Sequence, residues 1–147
     1  MRLAPAKPRD AQALARILAD WIDETPWMPK IHTPDEDRSF LACLIANTDV
    51  VTLRNWRGPQ GFLARDGAMV HALYLRPAAR GRGHGKRLLD RAKAQSPFLT
   101  LWTFQANAGA RAFYAREGFA EVEMTDGAEN DEGVPDVRLV WPAEETT

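Results

Sequence analysis

Leu73-Tyr74-Leu75-Arg76-Pro77-Ala78-Ala79-Arg80-Gly81-Arg82-Gly83-His84-Gly85-Lys86 reads as the end of a strand, a glycine-rich turn and the start of a helix. An apolar run of strand length, residues 68–75, stops at Arg76-Pro77, and a helical pattern resumes at Lys86 with Leu88, Leu89 and Ala92 on one face. This order suits a pyrophosphate. Backbone N–H groups in the first turn of a helix lack intrahelical partners and carry partial positive charge, so they donate hydrogen bonds to phosphate oxygens. Glycines at 81, 83 and 85 let a ligand approach with no Cβ in the way, and Arg80, Arg82 and Lys86 add charge. A nucleoside-triphosphatase loop needs Ser or Thr after its Gly-Lys, and here Arg87 follows Lys86.

Upstream of this stretch the pattern predicts a strand over 2–6 and a helix over 10–22, with Ala11, Leu14, Ile17, Leu18 and Trp21 at helical spacing. Residues 23–32 carry two prolines and no clear period, which predicts a loop. Thr33-Pro34-Asp35-Glu36 is a capping box that opens a second helix to about residue 46, with Phe40, Leu41, Leu44 and Ile45 as its expected buried face. Residues 49–55 and 61–65 read as strands turned by Gly58-Pro59, and Asp66-Gly67 is a hairpin signal. Downstream come a helix over 86–95, a strand over 98–103, a helix over 107–117 closed by Gly118, and strands over 119–125 and 137–141. Hairpins first and strand-helix alternation later predict a mixed α/β (α+β) fold.

A chain of 147 residues has room for one core, so a single domain over 1–147 is expected. With 45% hydrophobic and 27% charged residues the composition is that of a globular protein. No apolar run approaches the roughly 20 residues that cross a bilayer, and the first residues lack the apolar stretch of a secretory signal, so a cytoplasmic protein without membrane contact is expected. One cysteine, Cys43, and three scattered histidines predict neither a disulfide nor a metal site. The net charge of −1 hides an uneven distribution. Residues 76–93 hold seven basic side chains against Asp90 alone, and residues 121–136 hold seven acids and no base. The first segment suits a polyanionic ligand and the second a cation. Aromatic residues are not interleaved with the basic ones, so nucleic acid is not expected as a partner.

Arg80-x-x-Gly83-x-Gly85 after Leu73-Tyr74-Leu75-x-Pro77 resembles the coenzyme-A-binding motif of the GNAT superfamily of N-acetyltransferases. Asn107-x-x-Ala110-x-x-Phe113-Tyr114-x-x-x-Gly118-Phe119 is similar to a second signature of that family, at the expected distance downstream. Together the two span about half the chain. The resemblance implies a central mixed, mostly antiparallel sheet, flanked by helices and splayed between strands 4 and 5, with acetyl-CoA as co-substrate in the gap and no metal. It implies a phosphate cradle over Arg80, Gly81, Arg82, Gly83, His84, Gly85 and Lys86. Main-chain groups of Leu73, Tyr74 and Leu75 would hold the pantetheine and polarise the thioester carbonyl. A primary amine would then attack directly, and Tyr114 would return a proton to the leaving thiolate as general acid. Asn107 and Arg111 stand one and two helical turns before Tyr114 and would share its ligand-facing side. The family often places a base on the strand before the cradle. Here Met69 stands where Glu is often found, which leaves His71, or Glu24 in the loop after the first helix. Trp21 and Trp27 would border the acceptor, a small cationic amine or an amine of a protein. The resemblance also allows a catalytically silent acetyl-CoA sensor of the same fold, and it leaves a homodimer open.

Overall fold

In the computed structural model, which describes residues 1–143, the elements run β1 (Arg2–Pro5), α1 (Ala11–Asp23), α2 (Pro34–Asn47), β2 (Asp49–Asn55), β3 (Gly58–Asp66), β4 (Met69–Leu75), α3 (His84–Gln95), β5 (Leu99–Phe104), α4 (Ala108–Arg116), β6 (Ala120–Thr125) and β7 (Asp136–Trp141). The last four residues of the expected 1–147 unit lie outside the described residues. Seven strands form one sheet in the order β1-β2-β3-β4-β5-β7-β6, antiparallel except for the β4–β5 pair. This is the mixed, mostly antiparallel sheet expected.

Each face of the sheet is covered by a helix pair. Leu14, Ile17, Leu41 and Leu44 of α1 and α2 pack with Val50, Phe62, Ala64 and Ala72 on one side. On the other, Leu88, Leu89 and Ala92 of α3 and Tyr114 of α4 pack with Leu53, Leu63, Val70, Leu99, Leu101, Val137 and Leu139. The capping box closes as the sequence predicts. Thr33 Oγ1 accepts from the Glu36 N–H at 3.1 Å, and the Thr33 N–H donates to Glu36 Oε1 at 2.9 Å. Pro34 sits in the first turn, where it gives up no hydrogen bond.

Three expectations are corrected. The β2–β3 turn is Trp56-Arg57, with Asn55 opposite Gly58, so Gly58-Pro59 belongs to β3. Phe40 is not part of the buried face of α2 but 49% exposed. Helix α3 begins at His84, two residues early, because Gly83 at φ 82° supplies the left-handed cap from which a helix can start directly. No helix among the described residues is long and apolar enough to cross a membrane.

Asp10 ties the first turn to the sheet. Its carboxylate accepts from both terminal nitrogens of Arg54 at 2.9 and 3.2 Å and from the Lys7 N–H at 2.8 Å, and its surface is only 5% exposed. Burial alone would raise its pKa, but the Arg54 hydrogen bonds, the Lys7 N–H and the charges of Arg54 and Arg9 outweigh it and hold the carboxyl below its ordinary range. Asp10→Ala strands the guanidinium and is expected to cost about 3 kcal/mol in denaturant unfolding. Because the folded-state pKa is the lower one, this contribution is complete above the ordinary carboxyl range and fades as pH falls through it. The gap between wild type and variant should therefore close in acid.

Candidate active site

Strands β4 and β5 pair in parallel through Met69–Thr100 and Val70–Leu101, and there the pairing stops. The cause lies on the other edge of β4. Ala64 stands opposite Ala72 and Arg65 opposite Val70, so His71 is an extra residue with no partner on β3. Such a bulge bends a strand and increases its twist. Beyond it the two strands diverge, and a cleft of about 510 Å³ opens between Leu73, Tyr74 and Leu75 on one side and Trp102, Thr103 and Phe104 on the other. The edge of β4 that faces β5 has no strand partner there among the described residues, so apart from the Leu75 carbonyl, which Arg80 occupies, it can pair with a ligand.

The end of this cleft is formed by Arg80, Gly81 and Gly85 from the turn, and by Asn107, Ala110, Phe113 and Tyr114 from α4. Gly83 caps α3 with no side-chain hydrogen bond, so the first N–H groups of that helix have no capping oxygen. A Cβ on Gly85 would lie 3.4 Å from the Phe113 ring and 3.7 Å from Leu75 Cδ1, in the throat between helix and strand. Asn107 Oδ1 accepts from the Ala110 N–H at 3.1 Å and so fixes the start of α4.

The charged side chains of the turn are differently disposed from the sequence expectation. Arg80 faces the cleft, donates its Nε to the Leu75 carbonyl at 3.0 Å and places a terminal nitrogen 2.5 Å from Glu24. Lys86 reaches Asp90 at 3.2 Å and Glu117 at 3.3 Å, away from the cleft lining. His84 Nδ1 lies 3.2 Å from an Arg87 nitrogen; its pKa is lowered by burial first and then by Arg87, the chain's amino terminus and Arg82. Arg82 is exposed and outside the lining. Arg111 departs most from expectation: its guanidinium grips Glu121 at 2.7 and 2.8 Å and donates to the Gln105 carbonyl at 3.0 Å. Helical spacing placed it with Tyr114, but a carboxylate on the neighbouring edge strand draws it aside.

A second cavity, about 720 Å³, lies between the α1–α2 loop and the β6–β7 loop. It shares Trp21, His71, Ala72, Tyr74, Trp102 and Phe104 with the first. The two cavities therefore meet at the bulge. Trp21 lines both and packs on Tyr74 at 5.3 Å, and Trp27 holds it from behind, edge-on to Trp21 at 6.0 Å and to Phe104 at 5.7 Å. Of the acids on these loops, Asp131 and Glu132 line this cavity, and Asp23 and Glu24 instead pair with Lys30 and Arg80. Trp102 and Phe104 were not singled out from the sequence; on a strand, their period-two spacing in 99–104 was the available signal.

Residues 37–121 match the family model described as the acetyltransferase (GNAT) domain. The chain belongs to the GNAT acetyltransferase family. Over 147 aligned residues it is 29% identical to peptidyl-lysine N-acetyltransferase YiaC of Escherichia coli, with 94% of this chain and 98% of that protein covered. It shares its fold with apo YjaB of E. coli at a TM-score of 0.78 and 22% identity, over 96% of this chain and 98% of that one. A structure of yncA from Salmonella typhimurium with its cofactor acetyl-CoA matches at a TM-score of 0.71 and 16% identity, over 97% and 94% of the two chains.

In this GNAT acetyltransferase both tyrosines lie at the cleft. Burial, with Glu132 second, pushes the Tyr74 phenol up to about 12. Burial also raises Tyr114 strongly, with Tyr74 adding to it. The folded protein holds both protonated where the unfolded chain would release a proton near pH 10, so stability should fall as pH rises past that point. The chain has two tyrosines, so absorbance titration reads them directly. Neither should ionise near pH 10 before unfolding begins; a phenolate step at pH 10 in folded protein would contradict these surroundings.

Proposed function

We propose that this enzyme transfers the acetyl group of acetyl-CoA to the side-chain amine of a lysine in a protein, by direct attack at the junction of the two cavities. The observation that carries the reading is that junction: six residues belong to both spaces, so a donor in one and an acceptor in the other meet beside His71 and Tyr74. The residues fit a long diphosphate thioester. Unpaired β4 backbone offers a partner for an extended chain, and the uncapped α3 terminus with Arg80 offers donors for the diphosphate. The protein-lysine acceptor is supported by the relationship to YiaC, named a peptidyl-lysine N-acetyltransferase.

Each residue then has a task. A main-chain N–H of Tyr74 or Leu75 polarises the thioester carbonyl. Tyr114, held neutral by burial, hands its proton to the departing sulfur. His71, exposed on the bulge and facing both cavities, takes a proton from the acceptor ammonium, and the free amine so formed attacks the thioester. Glu24 is the weaker candidate for that task because it is paired with Arg80 and lines neither cavity. Arg80 binds phosphate in exchange for Glu24. Asn107 orients α4, and Trp21 with Trp27 shapes the acceptor wall.

Incubation of the protein with acetyl-CoA and lysine peptides, followed by mass spectrometry, tests the reading directly. Acetylated lysine is expected, and tight coenzyme A binding without any product would turn the reading toward a sensor. Gly85→Val should narrow the throat beside Phe113 and weaken coenzyme A binding by at least about tenfold in calorimetry, about 1.4 kcal/mol, with little change in melting temperature. Tyr114→Phe should lower kcat by about a hundredfold with coenzyme A affinity retained. His71→Ala should lower kcat/KM by a similar order.

A further inference from the structure

Asp37 has no partner that explains its place. It stands in the first turns of α2, its surface is 6% exposed, and its side chain faces the second cavity. Among the described residues no hydrogen bond or ion pair reaches its carboxylate. Its neighbours are accounted for: Asp35 lies 3.8 Å from Arg38, and Glu36 closes the capping box. Both already face the positive end of the α2 dipole from solvent, so a third acid would gain that interaction without being buried. A largely buried carboxylate with no bonded partner is costly. Burial raises its pKa, opposed by the charges of His32 and Lys30 on the preceding loop and reinforced by Glu36. Lys30 is itself held by Asp23 at 3.2 Å.

A second anomaly lies one turn along the same helix. Phe40 is 49% exposed and also lines the second cavity. Residues three apart on a helix are neighbours on its surface. A carboxylate beside an open aromatic ring is the pairing that a guanidinium recognises, through charge-assisted hydrogen bonds and stacking. The cavity extends from the junction, where the reacting amine is placed, to this end of α2.

We propose that Asp37 and Phe40 form a subsite for a second positive charge on the acceptor, so that the enzyme selects a lysine with an arginine close to it in the peptide. This rests on the reading of the second cavity as the acceptor site. Asp37 is a specificity-determining residue that acts on binding, remote from the reacting atoms.

Matched peptides carrying one acceptor lysine, with a flanking arginine or its neutral isostere citrulline, separate the outcomes. For the wild-type enzyme the arginine peptide should be preferred in kcat/KM by about tenfold, the scale of one charge-assisted contact. In Asp37→Asn the ratio of the two should fall to near one, with a melting temperature no lower than wild type because a largely buried charge without a hydrogen-bonding partner has been removed. Phe40→Ala, at an exposed ring, should reduce the ratio by less. A wild-type ratio near one, or a preference that survives in Asp37→Asn, overturns the subsite but leaves lysine acetylation standing. Absence of acetylation on either peptide overturns the acceptor reading and the subsite together.

Discussion

The parting of β4 from β5 is the constraint on which the rest of this molecule depends. Two parallel strands in register would satisfy each other's backbone groups and leave no gap. One surplus residue on β4, His71, breaks that register where pairing with Leu101 ends, so the strands separate toward Leu75 and Phe104. The cleft, the free edge of β4 and the meeting of the two cavities all follow from that insertion. The rear halves of both strands stay locked by Val70, Leu99 and Leu101 in the core, so the opening rests on a rigid base. The chain also keeps glycine at 61, where a Cβ would lie 2.3 Å from Leu75 Cδ2 and 2.9 Å from the Tyr74 carbonyl. A side chain there would press on the wall of the cleft from behind.

Charge tells a different story in three dimensions than along the chain. Seven basic side chains in residues 76–93 suggested a cationic cradle. Five of them, Arg76, Arg80, Lys86, Arg91 and Lys93, lie within 4 Å of carboxylates from elsewhere in the chain or from their own helix. Several of these pairs are solvent-exposed and weak. Arg80 can therefore leave Glu24 at small cost, whereas Lys93, largely buried against Glu117 and the Trp141 ring, belongs to the scaffold. What remains aimed at the cleft is mainly backbone: the α3 terminus and the edge of β4.

This explains which parts of the molecule could be read from the sequence. The turn at 80–86 and the Asn107 to Phe119 signature were legible because they encode backbone geometry, and backbone geometry restricts residue choice locally: glycine at φ 72° and 82°, an oxygen side chain to cap α4. The capping box of α2 was legible for the same reason. The bulge was not, since it is a relation between β3 and β4 that leaves no mark in either strand's own pattern. Arg111 was assigned to the ligand face because spacing along a helix says nothing of Glu121 across the gap. Trp56, large and apolar by type, sits at a two-residue hairpin tip and is 86% exposed. Phe40 likewise fits a helical stripe that the α1–α2 packing does not reach.

The same division between backbone and side chain accounts for the pattern of likeness to other proteins. A bulge, a splayed strand pair and a helix start are backbone features that many sequences can supply; folds at 16% and 22% identity superpose over nearly the whole chain. The second cavity is instead walled by side chains of two loops and the start of α2, among them Trp21, Met28, Asp37 and Glu132. Substitution there changes shape and charge without touching the backbone of the cleft. The cleft is thus fixed by the architecture, and the chemistry of the second cavity is left to residues that the architecture does not constrain.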